Sequence, residues 1–182
     1  MDKTLWTHPV INLRPAELSD FKAIAKLHVD NWRENYRGIL SDNYLDNQVE
    51  KDRLTTWYRR MKSPVKNQTV TIATFDNMFA GFCCLYYDDD PIFGSLIDNL
   101  HVTSNLQRSG IGKMLVIDCA RKVYEKSKKK SIYLWVYESN INARIAYERL
   151  GGTNFETIQK GNPDGTSSKT CRIIWDDITR LI

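Results

Sequence analysis

An α/β (α+β) fold built on a mixed sheet is what this sequence predicts, and three observations predict it. Helix-spaced apolar stretches and β-branched, period-two runs follow one another in the order β α α β β β α β α β β. A strand–helix–strand unit spans residues 92–137, which calls for two parallel neighbours joined by a right-handed crossover. Asp76-Asn77 and the segment GNPDGTSS (Gly161–Ser168) mark hairpins, which join antiparallel strands.

Each element has its own warrant. Val10–Arg14 alternates and reads as the first strand, closed by Pro15. A helix begins at Pro15-Ala16-Glu17, carries Phe21, Ile24, Ala25, Leu27 and His28 at helical spacing, and runs to about Trp32. Tyr36-Arg37-Gly38 breaks it. Ser41-Asp42-Asn43 is a cap signal for short helical pieces through Met61, with Leu45, Val49, Leu54 and Trp57 as their apolar stripe. Thr69–Phe75 and Phe79–Tyr87 are strands on either side of the Asp76-Asn77 turn. The acidic Asp88-Asp89-Asp90-Pro91 reads as a loop, Ile92–Val102 as a long strand, and Thr103–Ser109 as a second loop. Gly110–Lys126 is a helix with a charged stripe at Asp118, Arg121, Lys122 and Glu125. The run Ile132–Tyr137 is apolar throughout and predicts a central strand buried on both faces. Asn142–Leu150 is a short helix stopped by Gly151-Gly152, and Thr153–Ile158 and Lys169–Trp175 are the last strands.

Composition narrows the function classes. With 182 residues, 42% hydrophobic and 26% charged, the chain has the profile of one ordinary globular domain that needs neither disulfides nor a structural metal. Cys83, Cys84, Cys119 and Cys171 form no C-x-x-C and sit among apolar neighbours, so buried reduced thiols are expected. His8, His28 and His101 lie far apart, which argues against a metal centre. No apolar run approaches the ~18 residues of a membrane span. The stretch MDKTLWTHPVINLRP lacks an apolar core, so no secretory signal and a cytoplasmic location are the expectation. The net charge of +4 is concentrated: residues 121–130 hold six basic residues and one acidic, leaving the rest of the chain at −1. That pattern speaks against a nucleic-acid binder. A solvated helix end accounts for it, since cations are favoured near a helix C-terminus; binding of a polyanion or of a cofactor phosphate is the alternative.

The segment most telling for function is Gln107–Gly112, QRSGIG. It follows a predicted strand and opens a predicted helix. A helix N-terminus offers unpaired N–H donors and a positive dipole end, glycines let a large anion approach, and Arg108 and Lys113 add charge. The hexapeptide is neither a P-loop nor a dinucleotide fingerprint, and alone it also fits a glycine-rich turn.

Three pieces in order make it more specific: Ile97–Gly112 (I-D-N-L-H-V-x-x-x-x-Q-R-S-G-I-G), the strand IYLWVY, and Asn140-x-x-Ala143-x-x-x-Tyr147-x-x-x-Gly151. Together, over residues 95–152 and more weakly from Val10 onward, the chain resembles the GCN5-related N-acetyltransferase (GNAT) superfamily. The resemblance implies one N-acetyltransferase domain across residues 1–182, with a mixed, mostly antiparallel sheet flanked by helices and two splayed parallel strands at the cofactor groove. It implies acetyl-CoA as co-substrate, no metal, and direct acetyl transfer to a primary amine. By resemblance, the N–H groups of Gln107, Arg108, Ser109, Gly110, Ile111 and Gly112, with Lys113, bind the pyrophosphate. Leu100 and Val102 pair through their backbone with the pantetheine arm, Asn140 and Ala143 line the arm, and Tyr147 protonates the departing thiolate. Plain alternatives exist for each: core packing for Leu100 and Val102, an N-cap for Asn140, an aromatic contact for Tyr147. Asn140 and Tyr147 are seven residues apart, nearly two helical turns, and so share a face.

For the general base, period two places Asp98 on the face of Leu100 and Val102 unless a bulge intervenes. Asp30, Glu34 or a water are the alternatives, and a purely structural carboxylate is the bland reading of Asp98. The doubled Gly151-Gly152 departs from the family pattern, which often has Phe after the last glycine. The acceptor site is expected from Trp32–Tyr44, the loop after Tyr87 and the Gly161–Ser168 hairpin. Aromatics (Trp32, Tyr36, Tyr44) and acids (Asp30, Glu34, Asp88–Asp90) there suit a cationic amine. A non-catalytic acyl-CoA-binding or regulatory module is the competing class. The acceptor, the choice of acyl-CoA and the oligomeric state, including a homodimer, stay open at this level.

Overall fold

The computed structural model describes residues 10–182; His8 and most of the N-terminal stretch discussed above lie outside them. Seven strands form one sheet: β1 (Ile11–Pro15), β2 (Gln68–Phe75), β3 (Met78–Asp90), β4 (Gly94–Val102), β5 (Ile132–Tyr137), β6 (Thr153–Gly161) and β7 (Ser167–Trp175). Their spatial order is β1-β2-β3-β4-β5-β7-β6. Every neighbouring pair is antiparallel except β4–β5, the parallel pair expected from the crossover. The helices are α1 (Phe21–Asn35), α2 (Asp42–Asn47), α3 (Val49–Lys62), α4 (Ile111–Lys126) and α5 (Ile141–Arg149).

The expected elements are present, with displaced ends that have local causes. The first helix starts later than Pro15: the Asp20 carboxylate accepts from Glu17 N and from Arg14, which holds Leu18–Asp20 in a 3-10 turn before α1. Ser41 caps α2, accepting from Tyr44 N. Asp76 and Asn77 both have positive φ, as a two-residue hairpin turn needs. The acidic run is not a loop, because β3 extends through Asp90. Its carboxylates are satisfied there: Asp88 accepts from Lys128 N, Asp89 from the Tyr133 hydroxyl, and Asp90 from the Ile92 and Phe93 N–H groups. The last contacts make Pro91–Phe93 a turn, so β4 starts at Gly94 rather than Ile92.

Two layers of helix cover the sheet. On one face α4 packs Ile111, Leu115, Cys119 and Val123 against Cys83, Ile97, Leu134, Val136, Cys171 and Ile173. On the other, α1 and α3 pack Ile24, Leu27 and Trp57 against Val70, Ile72, Phe82 and Cys84. All four cysteines are buried and unpaired. The basic run is spent at the end of α4, where Lys130 donates to the carbonyls of Tyr124 and Ser127, as the helix-end reading predicts. No helix among the described residues is long and apolar enough to cross a membrane.

The doubled glycine closes α5. Gly151 takes φ +84, and Gly152 N donates to the Tyr147 carbonyl while Gly151 N donates to that of Glu148, a Schellman ending. Gly152 is needed for space: a Cβ there would lie 2.6 Å from Ile173 and 2.8 Å from Trp175.

Candidate active site

The site is built where the sheet comes apart. β4 and β5 pair only over Ser95↔Ile132, Leu96↔Tyr133 and Ile97↔Leu134. Beyond that register β4 continues to Val102 and β5 to Tyr137 with no pairing between them. The β5-facing edge of Asp98–Val102 is therefore an open backbone edge inside a sheet, able to accept an extended ligand as an added strand.

At the wide end of this wedge stands the N-terminus of α4. Gly110 precedes it with φ +92, and a Cβ there would meet nothing, so its role is conformational. The first turn of α4 is closed by Met114 N donating to the Gly110 carbonyl, which leaves the N–H groups of Ile111, Gly112 and Lys113 without helical partners. Arg108 also has positive φ. Gln107 and Ser109 do not offer free donors: each N–H makes a 3.3 Å turn bond, to Ser104 and Leu106. The anion cradle is thus narrower than the whole hexapeptide. A Cβ on Gly112 would lie 3.8 and 3.9 Å from Leu100 and Val102, so the helix start abuts the open strand edge.

The α5 residues close the wedge from the β5 side. Asn140 is the N-cap, accepting from Ala143 N at 3.3 Å. Ala143 and Tyr147, four residues apart, pack together on the α4-side core. Tyr147 stacks edge-on to Trp175, and its hydroxyl makes no hydrogen bond to the protein among the described residues. Burial, then the nearness of Tyr36 and Cys83, raises its pKa above the ordinary phenol value, so the hydroxyl keeps its proton. Cys83 pairs with Leu100 on the sheet, and Tyr36 stacks on Tyr137 at 4.8 Å. Tyr147 thus lies near enough to feel both Tyr36 and Cys83, which flank the wedge. Burial pushes the Tyr36 hydroxyl up to about 12, with Tyr137 adding to the rise and Asn140 opposing it.

The expected geometry of Asp98 needs correction. Cys84 pairs with Asn99 but Leu85 pairs with Ile97, so Asp98 is the extra residue of a β-bulge. The bulge takes it off the face of Leu100 and Val102. Its carboxylate accepts from Arg60 at 2.7 Å, and the same nitrogen donates to Asn99. Asp30 and Glu34 lie exposed on α1, Asp30 paired with Lys26 at 2.6 Å. His101 points under α1, as alternation requires, with its ring 4.6 Å from that of His28. His28 is fully buried, and its Nδ1 accepts from Trp57 Nε1 at 3.0 Å. Burial lowers both imidazoles, His28 well below its ordinary value and His101 to about 4.

Of the three segments expected around the acceptor, two meet. Ser41 N donates to Asp164 at 2.6 Å, so the β6–β7 hairpin closes onto the loop before α2. The third does not reach them: Asp88–Asp90 lie where β3 meets the start of β4, at the paired end of the wedge. Trp32 and Tyr44 are core residues at 8% and 4% exposure; only Tyr36 of the expected aromatics faces this region. Four residues went unnoticed in the sequence: Arg60, Trp135, Lys160 and Arg172. β5 is not buried evenly, because Tyr133, Trp135 and Tyr137 share the face away from α4, and Trp135 and Tyr137 are partly exposed. Their period-two spacing within IYLWVY was the available signal.

Comparison with known proteins agrees with this architecture. An N-acetyltransferase of Bacillus subtilis (YuaI, itself uncharacterized) is 29% identical over 177 residues, covering 94% of this chain and 96% of the relative. A GCN5-related N-acetyltransferase from Rhodopseudomonas palustris superposes with a TM-score of 0.71 at 16% identity, covering 95% of this chain and 98% of that one. The yncA protein of Salmonella typhimurium, a putative acetyltransferase solved with acetyl-CoA, superposes with a TM-score of 0.64 at 15% identity over 91% of this chain and 92% of that one. The model of the acetyltransferase (GNAT) family matches residues 23–152, a span that holds the split strands, the α4 N-terminus and α5 alike. This chain belongs to the GNAT family of acetyltransferases.

Proposed function

We propose that the protein transfers an acetyl group from acetyl-CoA directly to a primary amine, of a small molecule or of a protein. One observation carries the reading: an unpaired strand edge runs from a free helix N-terminus to a protonated tyrosine hydroxyl with no protein partner. Bound acetyl-CoA supplies the acetyl group as a thioester. The N–H groups of Ile111 and Gly112, with those of Arg108 and Gly110 and the Lys113 and Arg108 charges, hold the pyrophosphate. Gln107 and Ser109 shape the cradle through their turn bonds. Leu100 and Val102 offer backbone groups to the pantetheine amides while their side chains pack in the core. The Asn140 side chain and Ala143 border the arm. Tyr147 donates its proton to the thiolate sulfur as the bond to the acetyl carbon breaks.

The amine must arrive from the face opposite α4, because α4 and α5 close the other side. On that face Asp98 stands at the point of separation. We assign it the task of drawing the proton from the incoming ammonium, directly or through a water, with Arg60 holding it in place. The test is thiol release from acetyl-CoA against amino acids, polyamines, aminoglycosides and peptide N-termini, repeated with Asp98→Asn. An unchanged pH–rate profile in Asp98→Asn sinks the assignment of the base. Tight acetyl-CoA binding with no thiol release from any acceptor would favour a non-catalytic acyl-CoA-binding module instead.

A further inference from the structure

On the face at which the acceptor arrives, one cation makes no ion pair among the described residues. Trp135 is the first β5 residue past the last β4 pair, so its ring marks the throat of the wedge. Lys160 reaches back from β6, and its ammonium lies 3.8 Å from the Trp135 ring centre. Arg172 stacks on the same ring at 4.4 Å. The other charges here are paired: Arg172 with Glu156 at 2.8 Å and Arg60 with Asp98 at 2.7 Å. Lys160 makes no ion pair or hydrogen bond among the described residues, though it is close enough to feel Arg172, Asp98 and Glu156. Burial, and then Arg172, lowers its pKa, so the charge sits there at a cost that an anion would relieve.

We propose that the acetyl acceptor is a small amino acid, whose carboxylate binds Lys160 over Trp135 while its amine reaches the throat beside Asp98. This rests on the amine-acetyltransferase reading above and narrows it. Among these cations Lys160 alone has neither an ion pair nor a hydrogen bond among the described residues, so an anion can pair with it without breaking an existing contact. An amine without an acid would bring a second unpaired positive charge to that spot. An α-amino acid brings an ammonium for Asp98 and a carboxylate, two bonds away, for Lys160. The acids expected to attract a polyamine are already engaged or lie elsewhere: Asp89 accepts from the Tyr133 hydroxyl, Asp90 accepts from the Ile92 and Phe93 N–H groups, and Asp30 and Glu34 are exposed on α1.

The experiment compares thiol release from acetyl-CoA for free α-amino acids, the matching α-amino amides, and the matching amines lacking the carboxyl group. Acids should exceed their amides in kcat/KM by about tenfold or more, the scale of a charge-assisted contact. In Lys160→Gln that preference should collapse toward unity, chiefly through a raised KM for the acid. Lys160→Arg should restore part of it, which separates lost charge from lost folding. Amides or plain amines turning over as well as the acids overturns this inference and leaves the amine reading intact. A preference that survives in Lys160→Gln overturns it as well. No thiol release with any amine, while acetyl-CoA still binds, overturns the underlying reading and this inference with it.

Discussion

Tyr147 and Asp98 show how a residue's surroundings decide its chemistry. Burial has moved the Tyr147 pKa up, so its phenol keeps a proton to donate throughout the neutral range. We predict that Tyr147→Phe lowers kcat by ~10²-fold, the usual worth of a positioned acid, with the KM for acetyl-CoA little changed. Steady-state thiol release measures both; an equal loss in acetyl-CoA binding would show that Tyr147 serves only to pack. Since the folded-state pKa lies above 10, the part of kcat that depends on Tyr147 should not decline with rising pH until beyond pH 10. Asp98 was legible as a residue type near the right place. Its direction was not, because a bulge is set by the pairing of β3 with β4 and leaves no mark in β4 alone.

At the scale of elements, two glycines do different work. Gly152→Ala drives a methyl into Ile173 and Trp175 and should cost about 1–3 kcal/mol through overpacking. Gly110→Ala meets no atoms and costs only the left-handed backbone, roughly 1 kcal/mol. The ranking should invert for ligand affinity. Gly110 shapes the α4 N-terminus, so Gly110→Ala should weaken coenzyme A binding more than Gly152→Ala does. Calorimetry of binding beside urea titration checks this, and a Gly110→Ala protein with unaltered affinity would falsify the cradle. The order of the elements and the glycine-bracketed helix starts were readable from periodicity and capping. The extension of β3 through three aspartates was not, since the partners of Asp88 and Asp89 come from beyond the end of α4 and from β5.

The whole molecule carries a pair of stacked imidazoles, His28 fully buried and His101 partly so, with consequences for stability. His28 and His101 titrate below their unfolded value of ~6.5. Between those values the unfolded chain takes up protons that the folded one refuses. Their stabilisation is complete above pH 6.5 and is lost as pH falls toward the folded pKa. From pH 8 to pH 5 each should cost about 1–2 kcal/mol. Asp20, held low chiefly by its bond to Arg14, loses its contribution only at more acid pH, so this window isolates the imidazoles. Urea midpoints at the two pH values should differ accordingly, and His101→Gln should flatten the difference; an unaltered slope refutes it. The hairpin strap is the other long-range feature. Burial raises the Asp164 carboxyl, but hydrogen bonds from Thr166 and Ser41 outweigh that and hold it at about 2, ionised at working pH. Asp164→Ala should raise the acceptor KM on the order of threefold or more while leaving that for acetyl-CoA unchanged.

The sequence by itself determined the class, the order of the strands and helices, and acetyl-CoA as the co-substrate. Those rest on contiguous patterns: hydrophobic period, caps, a glycine-rich helix start, and an Asn–Ala–Tyr spacing within one helix. Tertiary structure alone decided which side chains meet across the wedge. Lys160, Trp135, Arg172, Asp98 and Arg60 come from four strands and a helix separated by up to 112 positions, from Arg60 to Arg172. They come together on one face only once strand register, a one-residue bulge and a hairpin closing on Ser41 are all in place. A local pattern can announce a candidate coenzyme A groove because a single strand and helix build it. The proposed acceptor contacts come from residues that are strangers in sequence, and so they become readable only in three dimensions.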